Sequence, residues 1–193
     1  MAIKFEELKQ YIARNIRLSI CFEDGHYHDY LMKSDIPDKK YDDLYVFGVG
    51  MTDVEFSRDI YIDSKEIQPK VFVSQDDTLE PAIEIVVQGK PRDIERSTED
   101  ILLFKDLRPY LQIGRNFSVV NRLGWSNEAY EYKSEIPEKY NDMYVYGIGM
   151  EDNPNMEKSL KEFEYDITLK KRMVIVLSEK PRRDANLCAE NCD

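Results

Sequence analysis

Apolar residues at Phe5, Leu8, Tyr11 and Ile12 recur at the spacing of one face of a short amphipathic helix, which predicts a helix opening the chain. Leu18, Ile20 and Phe22 then alternate with Arg17, Ser19 and Cys21, the period of a half-buried strand. Asp24-Gly25 supplies hairpin-turn chemistry, and a second strand is expected from His26 to about Lys33. Proline restricts the residue before it, and carboxylates favour local turns, so Asp35-Ile36-Pro37-Asp38 predicts a polar connection. Asp53–Phe56, Ile60–Ile62, Lys70–Val73 and Ala82–Val87 are further strand candidates.

The pattern then starts again. Tyr41-Asp42-Asp43-Leu44-Tyr45-Val46-Phe47-Gly48-Val49-Gly50-Met51 returns as Tyr140-Asn141-Asp142-Met143-Tyr144-Val145-Tyr146-Gly147-Ile148-Gly149-Met150. The flanks agree: Phe5–Ile12 with Phe104–Leu111, Lys33–Pro37 with Lys133–Pro137, and Lys90-Pro91-Arg92 with Lys180-Pro181-Arg182. So long a period predicts a duplicated unit rather than a solenoid, whose repeats run roughly 20–50 residues. The expected boundaries are a first unit at 1–96, a second at 97–184, and a flexible C-terminal tail at 185–193. Ser97–Asp100 offers a capping-box-like start for the second helix, and Pro109 predicts a kink or break in it. Phe163–Leu169 and Met173–Leu177 are the later strand candidates.

The expected fold class is α+β: a tandem duplication of a small unit with one N-terminal helix and about five short, mostly antiparallel strands. Short antiparallel strands need their edges paired or covered, which suggests a bent sheet or small barrel. The order of elements resembles an Sm-like or SH3-like barrel. In an extended strand Tyr45, Phe47, Val49 and Met51 would share one face and Gly48 and Gly50 the other. The glycines then shape the sheet, by close approach or a bulge. A dinucleotide loop would need a third glycine and an immediate helix, and neither follows.

Composition narrows the function classes. With 42% hydrophobic and 34% charged residues the chain suits a globular protein, and no run of eighteen apolar residues marks a membrane span. The start lacks a signal-peptide core, and three cysteines without one favour a reducing, cytoplasmic setting. Net charge is −11, with 13 basic against 20 acidic residues through Arg96 and 14 against 18 after it. Such a balance keeps a protein soluble, repels nucleic acid and favours a basic protein partner.

Candidate chemistry is sparse. His26 and His28 are the only histidines, and with Asp24 they would begin a metal site if strand geometry aimed them together. Zinc wants three or four converging ligands, and the matching Ser126-Asn127-Glu128 has no histidine. Cys188 and Cys192 sit in the tail, where a frayed end is the simpler expectation than a thiol pair at work. No nucleophile elbow is visible, and no cofactor is implied. Tyr27, Tyr30, Tyr45, Trp125, Tyr130 and Tyr144 are candidate binding residues, because aromatics beside carboxylates can anchor a basic partner.

Through its Gly-x-Gly-Met strands and Ile-Pro turns, the chain resembles an uncharacterised group of duplicated proteins found on mobile genetic elements of gut Firmicutes. The resemblance spans both copies, implies a bacterial setting and an accessory role, and carries over no catalytic residue. The leading expectation is a non-enzymatic acidic protein-binding module, an inhibitor or decoy of a basic nucleic-acid-handling protein. The alternatives are a metal-dependent hydrolase using the His26/His28 region and a structural module that self-associates.

Overall fold

A computed structural model describes residues 2–55, 79–94, 101–112, 117–122, 126–152 and 171–181. Helix α1 spans Phe5–Lys9, and strands β1 (Leu18–Phe22), β2 (Tyr27–Tyr30), β3 (Tyr45–Glu55) and β4 (Leu79–Gln88) follow it. Then come α2 (Phe104–Leu107), β5 (Phe117–Asn121), β6 (Ser126–Tyr130), β7 (Tyr144–Asp152) and β8 (Lys171–Ser178). The strands form two four-stranded sheets, ordered β2-β1-β4-β3 and β6-β5-β8-β7. Each sheet holds two antiparallel ladders around a parallel one, Leu18–Phe22 beside Ile83–Val87 and Phe117–Asn121 beside Met173–Leu177.

The fold is therefore α+β, but the sheets are open and the barrel expectation does not hold: β2 and β3 are the two ends of one sheet, β6 and β7 of the other. Among the described residues each sheet has four strands. The second strand ends at Tyr30 rather than Lys33, because the Asp35 carboxylate accepts the Met32 N–H (3.1 Å) and turns Lys33–Asp35 into a 3₁₀ helix. Asp53–Glu55 is the end of β3 and not a separate strand. Helix α2 begins at Phe104, with Asp106 accepting the Leu103 N–H (3.3 Å), so the described helix does not start from Ser97–Asp100. Ser97–Asp100, Ile60–Ile62, Lys70–Val73 and Phe163–Leu169 lie outside the described residues. Pro109 acts as expected: α2 ends at Leu107 and Arg108–Tyr110 tightens into a 3₁₀ turn, which tolerates a residue without an N–H near its start.

The strand parity expected around the glycines is corrected by a bulge. Val46 faces Val87 and Gly48 faces Val86, so Phe47 is an extra residue, and Tyr146 is extra in the same way between Val145 and Gly147. Val46, Val49 and Met51 consequently face the core while Phe47 is 45% exposed. A bulge re-aims every side chain on one side of it.

Buried residues from both parts of the chain form one core cluster, with Phe5, Leu8, Leu18, Ile20, Ile83 and Ile85 packed with Phe104, Leu107, Phe117, Met173 and Ile175. Each fully buried side chain of this size contributes roughly 1.5–3 kcal/mol. The connections are reciprocal. The residues before each helix pair with an end strand of the following sheet, Lys4 with Tyr45 of β3 and Leu103 with Tyr144 of β7. The residues after each helix cross to the other sheet, Ile12 pairing with Ile148 and Leu111 with Val49 in parallel bridges. The crossings are hydrogen-bonded: Ile148 N–H to Tyr11 O (2.7 Å), Ala13 N–H to Ile148 O (2.8 Å) and Gln112 N–H to Val49 O (2.9 Å).

Candidate functional site

Two places combine accessible side chains with defined geometry: the outer edge of the first sheet at β2, and a cleft where residues 10–14 cross the second sheet.

At the β2 edge, Gly25 takes φ +85° to close the β1–β2 hairpin, a conformation that suits glycine. The Asp24 carboxylate accepts the His26 N–H (3.0 Å) and lies 3.0 Å from His26 Nδ1. These bonds hold the Asp24 carboxyl below its ordinary range. His28 goes elsewhere. Its Nδ1 lies 2.7 Å from the Tyr41 hydroxyl, its ring stacks on Tyr41 at 6.1 Å and meets Phe22 edge-on at 5.4 Å. Tyr41 in turn shares a 2.6 Å hydrogen bond with Tyr30. Desolvation, then the Lys40 charge, pushes the His28 pKa down. The two histidines thus have separate partners, and among the described residues no group of three His, Cys, Asp or Glu side chains is placed to hold a metal ion.

The candidate tyrosines are not gathered into one patch. Tyr27 is 64% exposed on β2, Tyr30 is buried, and Tyr45, Tyr130 and Tyr144 are half-buried. Tyr130 donates to Glu128, and burial followed by that carboxylate pushes its hydroxyl pKa well up. Trp125, Cys188 and Cys192 lie outside the described residues. Sequence reasoning missed Leu31 and Met32, both exposed directly after β2, and Tyr132, which occupies the place of Met32 in the second half. Their signal was the apolar pair preceding Lys33-Ser34-Asp35, hidden by extending the strand through it.

The cleft encloses about 400 Å³ and is floored by Gly147, Gly149, Val174 and Val176 on the second sheet. Residues Gln10–Arg14 cross above it, with Lys33, Tyr146 and Glu151 at its walls. Lys33 is positioned by its ammonium, which donates to Ile12 O (2.6 Å) and Lys9 O (3.3 Å). Glu151 is fixed by the buried Arg172, whose Nε and Nη2 both reach Glu151 Oε1 at 2.6 Å.

The corresponding place on the first sheet is filled. Gln112, which crosses β3 as Ala13 crosses β7, lays its side chain over Gly50 and donates to Glu84. A Cβ on Gly50 would come within 2.0 Å of Gln112 Oε1, whereas one on Gly149 would meet only Ala13 Cβ at 3.8 Å. Arg92 closes that side further, donating to Phe47 O (3.0 Å) and Pro109 O (3.1 Å) with its guanidinium over the Phe47 and Tyr110 rings.

Comparison with protein-family models, with curated proteins and with solved structures finds no match to this chain. Among the described residues no helix is long and apolar enough to cross a membrane.

Proposed function

We propose that the protein is a non-enzymatic binding module that takes a basic protein partner along the β2 edge of its first sheet. The observation that carries this reading is the composition of that edge. Among the described residues β2 ends the strand order, and the other end, β3, is already bridged by Lys4 and Leu111. Tyr27, Leu31 and Met32 are exposed on or beside β2, with the carboxylates of Glu23, Asp24 and Asp35 exposed around them. An unpaired strand edge offers main-chain donors and acceptors to an extended segment. The aliphatic stems of lysines and arginines would lie on Tyr27 and their charges meet the carboxylates.

A net charge of −11 extends this complementarity beyond the contact, raising the encounter rate with a cationic protein. A nucleic-acid-handling protein is the partner class that such a surface suits, its phosphate-binding face meeting carboxylates instead, which would make the chain an inhibitor or decoy. We also infer that the two halves arose by tandem duplication, supported by their common strand order, the bulge at the same place in β3 and β7, and the reciprocal crossings. A reducing, cytoplasmic setting accords with the free Cys21 thiol.

Titration with purified basic nucleases, followed by amide shifts, tests the reading. Binding should perturb Tyr27–Tyr30, weaken about tenfold or more between low and physiological salt, and weaken again in Asp24→Asn and Tyr27→Ala. Affinity indifferent to salt and to both substitutions would refute it.

A further inference from the structure

We propose that the cleft between residues 10–14 and the second sheet is a binding site for a small organic acid, a monocarboxylate carrying a short aliphatic stem. Its volume of about 400 Å³ falls within the range of small-molecule sites, and its floor is apolar and backbone-lined where Gly147 and Gly149 carry no side chain. A stem of four or five carbons would cover Val174 and Val176. The walls select the head group. In a chain of net charge −11, Arg14 and Lys33 are both at the cleft, and the single acid there, Glu151, is already bound by Arg172. An anion is therefore favoured over a cation at this place and disfavoured over most of the remaining surface.

The first sheet supplies the internal comparison. There a side chain of the chain itself lies on the Gly-x-Gly strand: the Gln112 stem covers Gly50 and its polar end finds Glu84. The second sheet has Ala13 in place of Gln112 and Val174 in place of Glu84, so both the covering stem and its polar partner are absent, and a Cβ on Gly149 would meet only the small Ala13 side chain. A ligand stem takes the place of the glutamine stem, and its carboxylate turns to Arg14, with the charge of the backbone-bound Lys33 nearby, because Val174 offers no polar contact.

The test uses the whole chain and three probes: pentanoate, pentylammonium and inorganic phosphate. Pentanoate should shift the amides of Ala13, Gly147 and Gly149 saturably. Pentylammonium and phosphate should bind at least about tenfold more weakly, the first for its charge and the second for lack of a stem, tenfold being about 1.4 kcal/mol. Ala13→Gln, which copies the filled site, should abolish pentanoate binding. Arg14→Glu, an exposed change that leaves the fold intact, should weaken it about tenfold or more. Gln112→Ala should leave it unchanged. Equal binding of pentylammonium or phosphate, pentanoate shifts that survive both Ala13→Gln and Arg14→Glu, or no saturable shifts at all would overturn the assignment. None of these outcomes bears on the β2 edge, whose test reads Tyr27–Tyr30.

Discussion

His28 shows how one burial contact decides what a residue is for. Its ring is held against Tyr41 and Phe22, and desolvation lowers its pKa, so the folded state prefers the neutral imidazole. A histidine depressed in this way stabilises the fold fully above its unfolded pKa of about 6.5, and the contribution fades as pH falls through the lower folded value. Chemical denaturation of the wild type should therefore show stability declining below about pH 6.5, and His28→Gln should flatten that decline. The effect is under about 1 kcal/mol, because much of the ring remains in contact with water. Asp29, next on the strand, behaves oppositely. It is half-buried, Oδ1 has no hydrogen-bond partner, and desolvation raises its pKa. Ionising it costs the folded state increasingly as pH rises above about 3.9, the unfolded value. Asp29→Asn should thus stabilise the protein at neutral pH by about 1 kcal/mol, read from the urea midpoint, and lose that advantage in acid. The sequence showed two histidines two apart and a carboxylate beside them, which suited a metal site. It could not show that the strand begins only at Tyr27, leaving His26 in the turn with Asp24 while Tyr41, thirteen residues on, claims His28.

Among the elements, β3 and β7 were the most legible and their side-chain directions the least. The matching segments ending at Met51 and Met150 form strands with equal register against β4 and β8. The bulge is invisible to a period-two reading because it adds a residue without changing composition, so Phe47 was assigned to the same face as Val49 and is instead exposed. The parallel pairing of β1 with β4 was also illegible, since some sixty residues separate the partners and no local pattern encodes it. The Ile-Pro connection differs by one residue between the halves, and the difference is readable in both. Lys39 is the extra residue of the first Ile-Pro connection and takes φ 60°, whereas the shorter second connection closes as a 3₁₀ helix at Glu138–Tyr140. The role assigned to the glycines, close approach by another segment, holds on both sheets but with unequal occupants. Gly50→Ala should force the Gln112 side chain off Glu84 and cost about 1 kcal/mol, while Gly149→Ala should be neutral or stabilising by up to about 0.5 kcal/mol. In a double-mutant cycle, Gln112→Ala should remove most of the Gly50→Ala penalty. Additive costs would show that the glycine serves the strand backbone and not the crossing segment.

At the scale of the molecule, the crossings make each half complete the other. Tyr11 and Tyr110 stand at the same place after their helices, and each hydroxyl accepts a buried N–H from the other half: Leu102 N–H to Tyr11 (3.2 Å) and Ile3 N–H to Tyr110 (3.4 Å). Lys33 and Lys133 repeat the arrangement with their ammonium groups, tying the crossing segments at Ile12 O (2.6 Å) and Leu111 O (2.5 Å). Burial, then the Arg92 and Arg108 charges, lowers the Lys133 pKa, so keeping that ammonium charged costs the fold something at neutral pH, a cost relieved as the pH rises through the lowered folded value. The repeat in the sequence announced two similar bodies, yet no residue pattern said that the segment leaving one helix would bridge to the opposite sheet. A crossing of that kind removes the independence that repeated halves would otherwise have, because the core cluster contains both helices and all four central strands. The two sheets should accordingly melt as one unit, with calorimetric and van't Hoff enthalpies equal. Tyr11→Phe leaves the buried Leu102 N–H unpaired and should cost about 1–3 kcal/mol. Although the lost bond lies at the first helix, hydrogen exchange should report the same loss of protection in β4 and β8, since neither sheet can open while the other stays closed. Destabilisation confined to one sheet, or two resolved melting transitions, would show that the crossings tether two bodies instead of building one.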